Sequence, residues 1–186
     1  MATAGNAVPR GIERARMRFP QSEDVHVLLD AALDAALDIT GADMGNIQLL
    51  EPGDGILKIA VSRGFSARFL EFFGSVAAQT NSACAAALSN RMRIVVDDVT
   101  TSYLFVATPA LDVMLAANAR AVHSTPLLSR SSRLMGVLST HWRHPLDGMP
   151  YDPASLDVLA GRIADRLQEI ERRQAAEDAN IRGSAS

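Results

Sequence analysis

The sequence predicts an α+β domain on an antiparallel sheet of about five to six strands. Two amphipathic helices bracket the chain, one over 23–39 and one starting at 153. Inside them lie two pairs of apolar, strand-like segments, and between the pairs runs a long insert with short helical patterns. That order places the long terminal helices on one face of the sheet. The short insert helices and loops then cover a pocket on the other.

The chain has 186 residues, 48% hydrophobic and 21% charged, ordinary proportions for one soluble domain with tails. Residues 1–20 are rich in Gly, Pro and charge and read as a flexible leader; the domain spans 21–174, and 175–186 reads as a flexible tail. The formal net charge of −3 supplies no general basic field for nucleic acid or an anionic membrane. With Cys84 as the only cysteine, neither an intramolecular disulfide nor a cysteine zinc cage can form. No stretch approaches the ~20 apolar residues of a membrane span and no signal peptide is evident, so a cytoplasmic location is expected.

The first helix takes Ser22 as its expected N-cap, with Glu23 and Asp24 complementing the positive end of the dipole. Val25, Leu28, Leu29, Ala32, Leu33, Ala36 and Leu37 fall at helical spacing, and Gly41 ends the helix. Strands over 44–51 and 56–63 flank the turn Pro52-Gly53-Asp54-Gly55. In the insert, short helices are expected over 66–73, 81–89 and 109–118, with a short strand over 93–96. A second strand pair covers 121–128 and 134–142. The closing helix starts with Asp152 as N-cap and Pro153 at its first position. Its seam, Leu156, Leu159, Ile163, Leu167 and Ile170, suits packing on the sheet or on a partner helix.

Alternation splits each strand into two faces. Gly45, Ile47 and Leu49 oppose Met44, Asn46 and Gln48, and Leu57, Ile59 and Val61 oppose Lys58, Ala60 and Ser62. His123, Thr125 and Leu127 oppose Val122, Ser124 and Pro126; Leu134, Gly136 and Leu138 oppose Met135, Val137, Ser139 and His141. One face is aliphatic and small, suited to the terminal helices. The other mixes amide, hydroxyl and imidazole groups, and the insert's apolar residues (Phe69, Leu70, Phe72, Phe73, Leu104, Phe105, Leu111, Met114, Leu115) must pack over it. Covered polar groups without partners cost about 1–3 kcal/mol each, a cost that water or a ligand relieves. A half-polar, half-apolar lining is the usual makeup of a ligand pocket.

The order of elements resembles the GAF fold, the small-molecule sensing module of bacterial signalling proteins, related to phytochrome chromophore domains. The resemblance runs over 22–171. It is carried by Ala42-Asp43-Met44-Gly45-Asn46-Ile47-Gln48-Leu49, Arg63-Gly64-Phe65, Val95-Val96-Asp97-Asp98-Val99, Arg120-Ala121-Val122-His123-Ser124-Thr125-Pro126-Leu127 and Leu134-Met135-Gly136-Val137-Leu138-Ser139-Thr140-His141. Together these are similar to GAF modules attached to sensor histidine kinases. The resemblance implies that a ligand sits between sheet and insert, and that His141 corresponds to a histidine pointing at the chromophore in bilin-binding relatives. Those relatives anchor a bilin through a Cys-His pair or a cysteine in a preceding domain. Here Ala85 follows Cys84 and no preceding domain is read, which argues against a covalent bilin.

Cys84 begins a helix whose dipole favours a thiolate, and the region resembles the GAF-fold free methionine sulfoxide reductase. That chemistry resolves a sulfenic acid with a second thiol, which this sequence lacks, so a small buried thiol is the favoured reading. His26 and His144 read as surface groups. His123 and His141 read as facing the same way on neighbouring strands; with Asp97 or Asp98 they form a candidate metal or haem site, against the blander reading of a polar pair lining the pocket. Asp97-Asp98 more simply cap a turn. There is no phosphate-binding loop, dinucleotide fingerprint or nucleophile elbow.

The candidate ligand-binding residues are Asn46, Gln48, Phe69, Phe73, Cys84, Asp97, Phe105, Met114, His123, Thr125, Ser139 and His141. No catalytic residues, metal ligands or cofactor are expected. The favoured function is a small-molecule sensor domain without an output domain of its own, signalling to another protein. It is expected to form a homodimer through the helices over 23–39 and 153–173. The alternatives are a GAF-fold dimerisation module without ligand and a methionine sulfoxide reductase-like enzyme using Cys84.

Overall fold

Helix α1 (Val25–Thr40) buries Leu28, Leu29, Ala32, Leu33 and Ala36, the stripe that its 3.6-residue period lays on one side. The computed structural model describes residues 24–184. The leader, Ser22 and Glu23 therefore lie outside the described residues. Asp24 caps α1: its carboxylate accepts from the His26 amide at 2.8 Å. Gly41 closes the helix in the left-handed region (φ 65°), its N–H reaching the Leu37 carbonyl at 2.8 Å.

The remaining elements are β1 (Met44–Leu50), β2 (Ile56–Arg63), α2 (Ala67–Phe73), β3 (Ser75–Ala77), α3 (Ala83–Asn90), β4 (Ile94–Val96), α4 (Pro109–Ala116), β5 (Ala121–Leu128), β6 (Leu134–Trp142) and α5 (Pro153–Ser184). All but one answer to an expected element. The exception is β3, too short to show a period; it pairs with β2 at the edge of the sheet. The strands form one antiparallel sheet in the order β3-β2-β1-β6-β5-β4. The two long hairpins thus meet along β1 and β6 at the centre, and the insert supplies both edges.

Asp152 caps α5 as expected, accepting from the amides of Ala154 and Ser155 and from the Ser155 hydroxyl. The tail read as flexible from 175 is helical as far as Ser184. Ala175, Ala176 and Glu177 are good helix formers, and an i,i+4 ion pair joins Arg173 to Glu169 just before them.

The sheet divides the apolar side chains into two cores. Leu28, Leu29, Leu33, Ile47, Leu127, Leu138, Leu156, Leu159, Ile163, Leu167 and Ile170 join α1 and α5 to one face. Phe69, Phe73, Ala85, Leu88, Val96, Phe105, Met114, Val122 and Val137 join the insert to the other. The closing-helix seam is therefore buried within the chain.

Two bulges correct the expected faces. Ile47 pairs with Val61 but Gln48 with Ile59, so Ala60 is an extra residue in β2. Val61 stays with the terminal helices while Leu57 and Ile59 turn to the insert core. In β6, Leu127 pairs with Gly136 and Leu128 with Leu134, leaving Met135 extra. Met135 consequently packs with the terminal helices and Leu134 against the insert core.

Candidate ligand pocket

Between the sheet and the insert lies a cavity lined by Asn46, Gln48, Phe69, Phe73, Ser82, Ala83, Cys84, Phe105, Met114, Val122, Ser124, Ser139 and His141. About 290 Å³ of space between atoms is gathered there, but only about 20 Å³ is open to the centre of a water molecule. That is room for about one water.

The floor comes from three adjacent strands. β1 pairs Asn46 with Ser139 of β6, and β5 pairs Val122 with His141 and Ser124 with Ser139. Alternation brings these side chains up on the insert side together. Beyond them, the Asp43 amide donates to the His141 carbonyl at 3.0 Å and the Arg143 amide to the Asp43 carboxylate at 2.9 Å, which pins the end of β6. The roof is aromatic. Phe65 stacks on Phe69 with centroids 3.8 Å apart, and both present edge contacts to the His141 ring, at 4.9 and 5.7 Å.

The polar atoms of the lining divide into two groups. The hydroxyls of Ser124 and Ser139 bond each other at 2.8 Å, and the Gln48 amide nitrogen donates to the Phe73 carbonyl at 3.1 Å. By contrast, Asn46 Oδ1 and both ring nitrogens of His141 are buried and find no hydrogen-bond partner among the described residues. Burial, helped by nearby His123, pushes His141 down to about 3, so its ring is neutral at pH 7. A neutral imidazole offers one donor and one acceptor.

Cys84 is the second residue of α3, whose cap Ser82 accepts from the Ala85 amide at 3.3 Å. Its Sγ lies 3.3 Å from Ser82 Oγ. Burial raises the thiol pKa, and the hydrogen bonds that would lower it do not prevail. The expected pull of the helix dipole toward a thiolate is thus outweighed by desolvation.

Of the sequence-predicted residues, Asn46, Gln48, Phe69, Phe73, Cys84, Phe105, Met114, Ser139 and His141 meet in this cavity. Asp97, His123 and Thr125 do not, which is a correction. His123 pairs across the ladder with Thr140 while His141 pairs with Val122, so the two imidazoles point to opposite faces. His123 lies on the α5 side against Trp142, with Nδ1 3.1 Å from the Tyr151 hydroxyl. Asp97 Oδ1 stands 3.7 Å from His123 Nε2, too far for a hydrogen bond. Burial lowers the His123 pKa against the opposing pull of Asp97. Thr125 accepts from Arg93 Nε at 3.1 Å on that same face. A metal site from both histidines and Asp97 or Asp98 is excluded by this placement, and Asp98 instead accepts from Thr100 and pairs with Arg120.

The sequence reading missed Ser82, Ala83, Val122 and Ser124 as lining residues. Alternation sets Val122 and Ser124 opposite His123, so placing His123 toward the pocket turned them away from it; the β5–β6 register, pairing Val122 with His141 and Ser124 with Ser139, puts them on the pocket side. Ser82 and Ala83 enter through the first turn of α3, whose placement over the sheet no local pattern encodes.

The family model for the GAF domain matches residues 22–170. The chain belongs to the GAF domain family. Solved structures agree on the fold. One is a domain of a putative two-component sensor histidine kinase from Sinorhizobium meliloti 1021, at 20% identity and TM-score 0.60, covering 86% of this chain and 99% of that one. The GAF domain of an Acinetobacter phosphoenolpyruvate-protein phosphotransferase superimposes with TM-score 0.66 at 17% identity, covering 90% and 95%. Free methionine-R-sulfoxide reductase from Neisseria meningitidis, solved with its substrate, gives 0.63 at 20% identity, covering 83% of each chain. No curated protein matches this GAF domain.

Proposed function

We propose that this GAF domain is a small-molecule sensor of bacterial signal transduction, with the cavity between sheet and insert as its binding site. The observation that carries the reading is the set of buried, unpartnered polar atoms on the cavity floor, Asn46 Oδ1 and both nitrogens of His141. Each costs about 1–3 kcal/mol unless something in the cavity bonds to it. A ligand that pushes on the roof residues Phe69, Phe73 and Met114 displaces α2 and α4, which contact each other above the cavity. The similarity to a sensor kinase domain supports the signalling context.

One observation favours the second reading, a GAF-fold dimerisation module without ligand: the cavity is nearly filled by its own side chains. The enzymatic reading loses support because burial keeps the single thiol protonated. A cytoplasmic location and a separate signalling partner complete the proposal; among the described residues no helix is long and apolar enough to cross a membrane.

Native mass spectrometry of the protein, followed by denaturation to release and weigh any passenger, tests the proposal. A discrete released molecule, or ligand-dependent stabilisation in a thermal-shift screen, is the expected result. An empty protein that no compound stabilises, yet which forms a stable dimer, would move the conclusion to the dimerisation module.

A further inference from the structure

We propose that the occupant of the cavity is an uncharged, flat small molecule that both donates and accepts hydrogen bonds. This inference rests on the sensor reading above and narrows it to a ligand class. Among the described residues that line the cavity, none is Asp, Glu, Lys or Arg. An ion placed there would lose its hydration without gaining a counter-charge, a penalty of several powers of ten in affinity.

The unpartnered atoms define the polar edge of the ligand. Asn46 Oδ1 accepts only, so it asks for a donor. The uncharged His141 ring asks for one acceptor and one donor. Ser124 bonds Ser139, and the Gln48 amide nitrogen donates to the Phe73 carbonyl. They add no demand for charge. The body of the ligand faces aromatic rings and Met114, surfaces that favour a planar, apolar framework. The present opening admits about one water, so such a ligand enters by turning a wall side chain aside. Met114, unbranched and flexible, is the side chain best able to yield.

Three near-isosteric probes separate charge from shape at pH 7.5: benzamide, benzoate and benzamidinium. Dissociation constants are measured by ligand-detected NMR on the parent and on Met114→Ala, which widens the cavity, with circular dichroism to verify folding. Benzamide is expected to bind at least about tenfold more tightly than either ion. It is also expected to shift the His141 ring resonances, and to weaken at least about tenfold in Asn46→Leu. Benzoate or benzamidinium binding as tightly as benzamide, with the same dependence on Asn46, would overturn the inference while leaving the sensor reading intact. Absence of binding by all three probes to both proteins would overturn the binding-site reading itself.

Discussion

Replacing His141 with leucine should stabilise the ligand-free protein. The imidazole is buried beneath Phe65 and Phe69 with both nitrogens unpartnered. At about 1–3 kcal/mol for each unpaired group, His141→Leu relieves several kcal/mol. Loss of the two aromatic edge contacts returns about 0.5–1.5 kcal/mol each, and imperfect fit up to about 1.5 kcal/mol. The net is about 1–2 kcal/mol in favour of the variant, roughly 2–8 °C in Tm for a domain of this size. The advantage should grow in acid. An unfolded histidine gains its proton near 6.5, while the folded ring, held down to about 3 by burial, stays neutral. Between those values the unfolded state binds more protons, so stability falls with falling pH by about 1.4 kcal/mol per unit from this group. His141→Leu removes that slope, and by pH 5 its lead should widen by about 2 kcal/mol. Urea unfolding at pH 7.5 and 5 reads both quantities. A variant less stable than the parent at both values would refute the reasoning, because the imidazole would then be paired in the resting protein.

Other consequences follow from particular contacts. A Cβ on Gly136 would stand 2.1 Å from the backbone oxygen of Gln48, so Gly136→Ala should cost about 3 kcal/mol or more, read by urea unfolding. A loss below about 1 kcal/mol would mean that β1 and β6 separate more easily than their register implies. Cys84, buried and with a raised pKa, should react with a disulfide reagent far more slowly in the folded protein than in urea. Equal rates, or reduction of free methionine sulfoxide lost on Cys84→Ser, would restore the enzymatic reading. Because the seam of α5 is consumed inside the chain, a dimer through the terminal helices must use their outer faces, where Val27 and Val158 are exposed. Val27→Asp with Val158→Asp should then give a monomer by light scattering, and an unchanged dimer would place the interface elsewhere. Arg93 donates to Thr125 and to the Pro153 carbonyl and pairs with Asp157, so Arg93→Ala should lower stability by about 1–3 kcal/mol on thermal denaturation. A variant as stable as the parent would show that the start of α5 holds without this tie.

The α+β class, the terminal helices, both long hairpins and the insert helices were determined by the sequence alone. Their signals are local: the 3.6 and 2.0 periods, the Asp152-Pro153 start, the Pro52-Gly53-Asp54-Gly55 turn and the glycine at 41. Most of the pocket was legible too, because alternation on β1 and β6 is unbroken from Asn46 to Gln48 and from Val137 to His141. Other features only the tertiary structure decided. One extra residue turns every side chain beyond it to the opposite face, and nothing local marks Ala60 or Met135 as extra. His123 was assigned to the wrong side of the sheet relative to His141 because facing across a ladder depends on register, a property of two strands rather than one. The near-closure of the cavity is likewise tertiary. Phe69, Phe105 and Met114 are widely separated in sequence, and only the packing of the insert onto the sheet sets how much space remains between them.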